Sequence, residues 1–399
     1  MARLSSVRPR VALFFTRVPW PLDRGDHIRN TQVLRACAAR ADVTVFALTD
    51  QPIEPVPEPL RAFGARFVIV PHPAWASWVA MGAALPSSRP LQIAYFESQA
   101  MRRAIAGAVA AGGGFDVGIA SFLRMWPYIR HASIRHRVAD FHDSMSMRST
   151  RAAAFAPWAA RPVLREEGRR MAALESRVAR EAQECWIISE ADRREVLDRT
   201  PGGHIEVVPN GIETRWGDSG LVDSSTRQSD VLFLGNMTVS HNRDAAILLA
   251  REIWPAVRVR HPAARLRLVG THDSALATLA NLSGVSVEGY IEDLAPVLRA
   301  SRLAVAPLRF ATGLQNKVIE TMSAGLPSVV TRVVNEGIGA PEGEAIVIAD
   351  SVEQQVEAIV ALLADPGRAR AIGERARAWV QGRFTWDVLD RRIERLLER

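Results

Sequence analysis

Residues 303–331, LAVAPLRFATGLQNKVIETMSAGLPSVVT, bring together side chains able to handle an anion. An apolar run ends at Pro307 and Gly313 follows in a loop. A periodic stretch over 314–324 then stops at Gly325 and Pro327. Thr312 and Gln315 have the spacing of a capping box, which predicts a helix start near Gly313. Helical N–H groups at such a start present a partial positive charge, and a glycine lets an anion approach the backbone. Lys317 and Glu320 stand three residues apart and share one helix face. Backbone amides, an ammonium and a carboxylate therefore converge. A diphosphate beside a ribose would use all three, with the amides and Lys317 on phosphate oxygens and Glu320 on sugar hydroxyls. The plain alternative is a capped surface helix whose Lys317 and Glu320 form a solvated pair. Lys317 has a further distinction: of 50 basic residues it alone is lysine. A bias that writes arginine elsewhere has left one compact ammonium here, by need or by chance.

A loop of this kind needs a parallel strand behind it, and the rest of the chain supplies the context. Short apolar runs alternate with amphipathic stretches, the pattern of an α/β fold with parallel sheets. Strands are predicted at 11–15, 43–48, 67–70, 117–120, 138–141, 186–188 and 205–208, with a helix over 27–40. A turn at Pro209-Asn210-Gly211 and a polar linker over 213–230 follow. A second series places strands at 231–234, 266–269, 285–287, 303–306, 328–330 and 346–348, with helices over most of 352–397. The prediction is two Rossmann-like domains, 1–212 and 231–382, facing each other across a ligand cleft. Residues 383–399 form a C-terminal helix returning to the first domain.

Composition narrows the function classes. The chain has 399 residues, 48% hydrophobic and 23% charged, which excludes a disordered chain. Cys37 and Cys185 alone make a disulfide scaffold untenable. The basic start lacks the apolar core of a secretory signal, and no apolar run approaches the ~20 residues that span a bilayer. A cytoplasmic protein is expected. Residues 1–200 carry 28 arginines against 19 acidic residues, a net +9, so the remainder carries −2 of the overall +7. An anionic partner suits the first half, as does a mere scatter of solvated charges. No basic run is interleaved with aromatics, so nucleic acid is not expected.

The segment Gly313-Leu-Gln-Asn-Lys317-Val-Ile-Glu320-Thr-Met-Ser-Ala-Gly325-Leu-Pro327 resembles the donor-binding motif of family 4 glycosyltransferases, which adopt the GT-B fold. Val208-Pro-Asn-Gly-Ile212 is similar to that family's signature before the interdomain linker. Phe233-Leu-Gly235-Asn236 fits the opening of its second domain. Pro19-Trp-Pro-Leu-Asp-Arg-Gly25-Asp26-His-Ile-Arg29 resembles the first loop of a bacterial subset linked to exopolysaccharide synthesis. The resemblance spans nearly the whole chain. It implies retaining transfer of a sugar from a nucleotide-diphosphate donor, with no metal and no other cofactor. It implies donor contacts from Gly25, Gly235, Asn236, Gly289, Tyr290, Gly313, Leu314, Gln315, Asn316, Lys317 and Glu320, and acceptor-side roles for Asp26, Arg29, His142 and Asp143. Lys317, His142 and Glu320 are the residues expected to serve the reaction. Two features depart from the family. Thr312 stands eight positions before Glu320, where a first glutamate is common, and Asn236, His241, Asn242 and Arg243 replace a usual Arg and Lys pair.

Other segments keep two readings. Asp140-Phe-His142-Asp143 ends a predicted strand, where His142 either meets substrate or fastens a loop. Gly25 and Asp26 open a predicted helix that could meet a diphosphate or be an ordinary tight loop. Gly270 and Gly289-Tyr290-Ile291 stand where a base could stack. Trp75, Trp78, Met81 and Leu85, with Tyr95 and Phe96, could dip into a membrane surface, hold a lipid-linked acceptor, or be core. A glycan, a lipid-linked precursor or a small molecule could be the acceptor. A nucleotide-sugar epimerase of the same fold and a non-catalytic nucleotide-sugar-binding protein are the rival functions.

Overall fold

The computed structural model describes residues 8–22, 24–51, 55–212 and 229–398. They divide into two compact units, Met1–Pro209 with Asp387–Arg399, and Asn210–Trp386. The division falls three residues before the end predicted for the first domain. The C-terminal return begins at 387 rather than 383.

In the first unit, β1 (Arg10–Phe15), β2 (Asp42–Thr49), β3 (Arg66–Pro71), β4 (Phe115–Ser121), β5 (Ile134–Asp140), β6 (Glu184–Ile187) and β7 (Glu206–Val207) form a parallel sheet. Their order is β3-β2-β1-β4-β5-β6-β7. Phe14 stacks on Phe46 at 5.2 Å, and Phe46 meets Phe115 edge-on at 6.1 Å. These rings fill one face of the sheet, as both faces of a parallel sheet must be covered. Four helices matter to the site or surface: α1 (Gly25–Ala38), α2 (Ala74–Ala84), α3 (Met145–Phe155) and α4 (Arg161–Glu181). Ser144 caps α3, its hydroxyl accepting from the Met147 amide at 3.3 Å. Glu175 on α4 takes the Ser146 amide at 2.9 Å and hydroxyl at 2.6 Å, which fixes the loop entering α3.

In the second unit, β8 (Asp230–Leu234), β9 (Arg265–Val269), β10 (Val285–Glu288), β11 (Ser301–Ala306), β12 (Ser328–Val330) and β13 (Val347–Ile348) form a parallel sheet. The order is β10-β9-β8-β11-β12-β13. Helices α5 (Ser240–Leu248), α6 (Asn316–Ser323) and α7 (Pro366–Gln381) cover it. Gly373 on α7 packs on the Gly325 carbonyl, leaving no room for a Cβ, and Gly325 ends α6 at φ +73°. Ile212 N donates to Phe384 O at 3.0 Å, so the chain enters and leaves this unit side by side. α8 (Asp387–Leu397) then belongs to the first unit. Arg392 on α8 meets Glu206 at 2.9 Å, and Asp390 meets Arg35 of α1 at 3.0 Å.

Candidate functional site

In the second unit the direction of strand addition reverses between β8 and β11. A crevice opens at the carboxyl ends of such a pair, where open α/β sheets take ligands. Lys317, on the first turn of α6, reaches into it. Its Nζ donates to Asn242 Oδ1 on α5 and lies 5.6 Å from the Phe233 ring centroid. Asn242 Nδ2 donates to Asn236 O at 2.9 Å. One lysine thereby links the loop after β8 to α6, bringing Gly235 and Asn236 to the same place. Burial pulls the Lys317 pKa down to about 7, with no opposing charge among the described residues offsetting it.

α6 begins at Asn316, later than the capping-box spacing predicts. Gln315 occupies the N-cap position with no side-chain cap; its Nε2 donates to Thr312 O at 3.0 Å instead. Gly313 at φ +66° turns the chain just before, so the helical run cannot extend back through it. As a result, the amides of Leu314, Gln315 and Lys317 donate to no group among the described residues. Gly337 packs against the Gly313 carbonyl with no space for a Cβ, which holds this loop in place. Asn316 Oδ1 accepts from Asn210 Nδ2 at 3.2 Å. Leu314 is buried, while Glu320 is partly exposed one turn beyond Lys317. Gly270, at φ +134°, lies against the Gly235 carbonyl and so packs the loops after β8 and β9 together. Its amide donates to Glu288 O at 3.1 Å and Gly289 O at 3.2 Å. Gly289 and the exposed Tyr290 sit at the end of the edge strand β10, two strands from Lys317's crevice.

The first unit has its own reversal, between β1 and β4, beside β5. His142 lies there with φ +62°, and so does Phe122, a backbone region side chains seldom adopt. The two rings stack at 3.9 Å. Ser121 Oγ donates to Asn30 Oδ1 at 2.6 Å and meets His142 Nε2 at 2.9 Å. With the hydroxyl proton on Asn30, Nε2–H is the donor to Ser121 and Nδ1 keeps a lone pair. Burial pushes the His142 pKa down to about 4, against the opposing charge of Asp140, so the imidazole is neutral near pH 7.

Arg29 is fully buried. Its Nε and Nη2 clamp Asp140 at 2.7 and 3.0 Å, and Nη1 donates to Val208 O at 2.9 Å. Burial alone would raise the Asp140 carboxyl, but Arg29 and His142 outweigh it and hold the carboxyl below its usual range. Arg29 thus positions α1 against β5, where the motif suggested an acceptor contact. Asp143 is buried and engages Arg148 of α3, whose Nε is 3.1 Å away. Gly25 and Asp26 form the first turn of α1, with no side-chain cap at its start. Among the described residues no three His, Cys, Asp or Glu side chains group as metal ligands. Ser121, Asn30, Phe122 and Arg124 carry no motif; the topology brings them here from distant segments.

Residues 228–365 match the family described as Glycosyl transferases group 1. Over 161 residues the chain is 27% identical to the GDP-mannose-dependent monoacylated alpha-(1-6)-phosphatidylinositol monomannoside mannosyltransferase of Corynebacterium glutamicum. That match takes in 36% of this chain and 41% of the relative's length. Sucrose-phosphate synthase from Thermosynechococcus elongatus superposes with a TM-score of 0.72, at 19% identity, over 98% of each chain. The Anabaena HepE protein in complex with UDP and glucose superposes with a TM-score of 0.64, at 14% identity, over 97% of this chain and 99% of its own. The chain has the GT-B fold. In this GT-B chain the family match covers all of the second unit's sheet, with the Lys317 crevice inside it.

Proposed function

We propose that this protein is a retaining glycosyltransferase that moves a sugar from a nucleotide-diphosphate sugar to an acceptor hydroxyl. The observation that carries it is Lys317, an uncompensated ammonium at the strand-order reversal of the second unit, beside unpartnered loop amides. The match of this region to group 1 glycosyl transferases supports the reaction class. The mannosyltransferase relative's GDP-mannose and the UDP-glucose bound to HepE make those two donors the first to try.

In the reaction, the anomeric C–O bond to the diphosphate breaks and negative charge grows on the leaving phosphate. Lys317 and the amides of Leu314 and Gln315 stabilise that charge, each good donor lowering the barrier by ~2.7–4 kcal/mol. The acceptor oxygen bonds to the anomeric carbon on the face the diphosphate leaves. Its proton passes to a phosphate oxygen of the departing nucleotide. No metal ion is assigned a role, since Lys317 meets the charge. Glu320 is assigned to the ribose. His142, neutral and aimed by Ser121, is assigned to positioning sugar and acceptor. A neutral imidazole suits hydrogen bonding to hydroxyls without trapping the diphosphate.

The acceptor is assigned to glycoconjugate or exopolysaccharide assembly at an anionic membrane surface. No helix among the described residues is long and apolar enough to cross a membrane. α2, however, exposes Trp75 by 70% and Trp78 by 63%, with Val79 and Leu85 also in solvent. These side chains are not core. Arg170 donates to the Ala84 and Leu85 carbonyls and sets a guanidinium beside them. An exposed apolar helix face of this kind fits a lipid surface.

The test is calorimetric titration of wild type and Lys317→Ala with UDP, GDP, dTDP and ADP, followed by product analysis with the matching sugar nucleotide. Saturable binding of one nucleotide, lost in a folded mutant, supports the assignment. A folded wild type that binds none defeats it. Isomerised donor without any acceptor would identify an epimerase, and binding without turnover a non-catalytic protein.

A further inference from the structure

At the carboxyl edge of the first sheet Asp140 clamps Arg29 and Asp143 engages Arg148, while two further arginines have no carboxylate partner among the described residues. Arg17 lies two residues beyond β1, and Arg124 three beyond β4. These strands are neighbours, Phe14 pairing with Ala120. Arg17 makes no hydrogen bond or ion pair among the described residues and is partly exposed. Arg124 Nη2 donates to Gln92 Oε1 at 2.6 Å, while its buried Nε has no partner. Among the described residues no carboxylate pairs with Arg124; its guanidinium instead lies over Phe122 at 5.1 Å and Phe96 at 5.3 Å. Arg148 is nearby, but Asp143 matches it. Burial, Arg148 and Arg17 together pull the Arg124 pKa down to about 10, with Asp143 and Asp26 opposing. Buried guanidinium charge of this kind is costly unless an anion meets it.

We propose that Arg17 and Arg124 form a phosphate subsite, and that the acceptor is a phosphate ester whose hydroxyl faces His142. This rests on the glycosyl-transfer assignment above. Two guanidinium groups with most of their N–H donors free offer more than the two oxygens of a carboxylate take up, and their forks match phosphate. Phe122 lies between Arg124 and His142, stacked on His142 and under Arg124, so a bound phosphate is one ring's breadth from the imidazole. The phosphate could be the monoester of a soluble polyol or the diester of a lipid headgroup.

Calorimetry distinguishes these. Inorganic phosphate, glycerol 1-phosphate, dihexanoyl phosphatidylglycerol and glycerol are titrated into wild type, Arg17→Gln, Arg124→Gln and Arg124→Lys. Nucleotide titration and thermal melting are run on each protein. Phosphorylated probes should bind and glycerol should not, with each Gln variant weakening binding on the order of tenfold and Arg124→Lys retaining part. Tighter monoester binding identifies a soluble acceptor, and tighter diester binding a lipid. Arg17 makes no hydrogen bond or ion pair among the described residues, so its variant decides the matter if Arg124→Gln fails to fold. A protein that binds nucleotide but no phosphorylated probe overturns the subsite. So does Arg17→Gln that loses nucleotide affinity, which would assign these arginines to the donor. Probe binding lost in Arg17→Gln without any nucleotide binding would keep the subsite and defeat the glycosyl-transfer assignment.

Discussion

The ionisation of Lys317 makes the donor assignment quantitative. Burial lowers its pKa from 10.5 to about 7, so the ammonium needed by a diphosphate is half lost at pH 7 in the free protein. Nucleotide sugars are esterified at both ends of the diphosphate and keep a constant charge from pH 6 to 9, so a pH effect on binding belongs to the protein. Between those limits the protonated fraction of Lys317 falls roughly ninetyfold, about 2.7 kcal/mol at ~1.36 kcal/mol per pH unit. Affinity should therefore fall about fivefold from pH 7 to 8 and about ninefold from pH 8 to 9, and binding at pH 8 should take up close to one proton. Calorimetry in two buffers of different ionisation enthalpy measures both.

His142 gives no competing slope, because it is already neutral above about pH 4. Stability runs the other way. The unfolded chain binds this proton more tightly than the folded one, so the charged lysine destabilises the fold fully below pH 7, and the penalty fades as pH rises towards 10.5. Its upper bound is roughly 5 kcal/mol at ~1.36 kcal/mol per unit, reduced by the solvent exposure Lys317 retains. Lys317→Met should melt higher than wild type at pH 6, gain little near pH 10, and lose nucleotide affinity at both. Affinity that stays flat from pH 6 to 9, or a slope that survives in Lys317→Met, would refute the assignment of the diphosphate to this ammonium.

Four further outcomes follow from contacts elsewhere. Asp140→Asn leaves Arg29 buried without its counter-charge and should cost ~3–5 kcal/mol in denaturant unfolding, whereas the double change Arg29→Met with Asp140→Leu should cost far less. Gly270→Ala forces a side chain to φ +134° against the Gly235 carbonyl; strain alone of about 1–3 kcal/mol should lower the melting temperature and nucleotide affinity together. Gly289→Ala, with open space around it, should leave stability within about 0.5 kcal/mol of wild type, as judged by the same melts. Trp75→Ser with Trp78→Ser should abolish most sedimentation with anionic vesicles while leaving the melting temperature unchanged, and unaltered sedimentation would remove α2 from the membrane assignment.

Much of this molecule is legible in its sequence. Alternating strands and helices and the parallel sheets follow from short apolar runs set between amphipathic stretches; the strands read as continuous runs because both their faces are buried. Lys317, Gly313 and Glu320 stand out because a local motif places them on one loop and one helix. Local spacing also misled: Thr312 and Gln315 read as a capping box, but Gly313 bends the chain between them and α6 begins at Asn316. The motif implied an acceptor-side role for Arg29, yet only the sheet order shows Asp140 beneath it, 111 residues away. The same holds for Asn242 against Lys317, and for Ser121, Asn30 and His142. Sequence determined which elements form, because propensity and burial pattern act over a few residues. Tertiary structure alone decided which charges lose water and which partners they meet, because both depend on strand ends that are adjacent in space and distant along the chain.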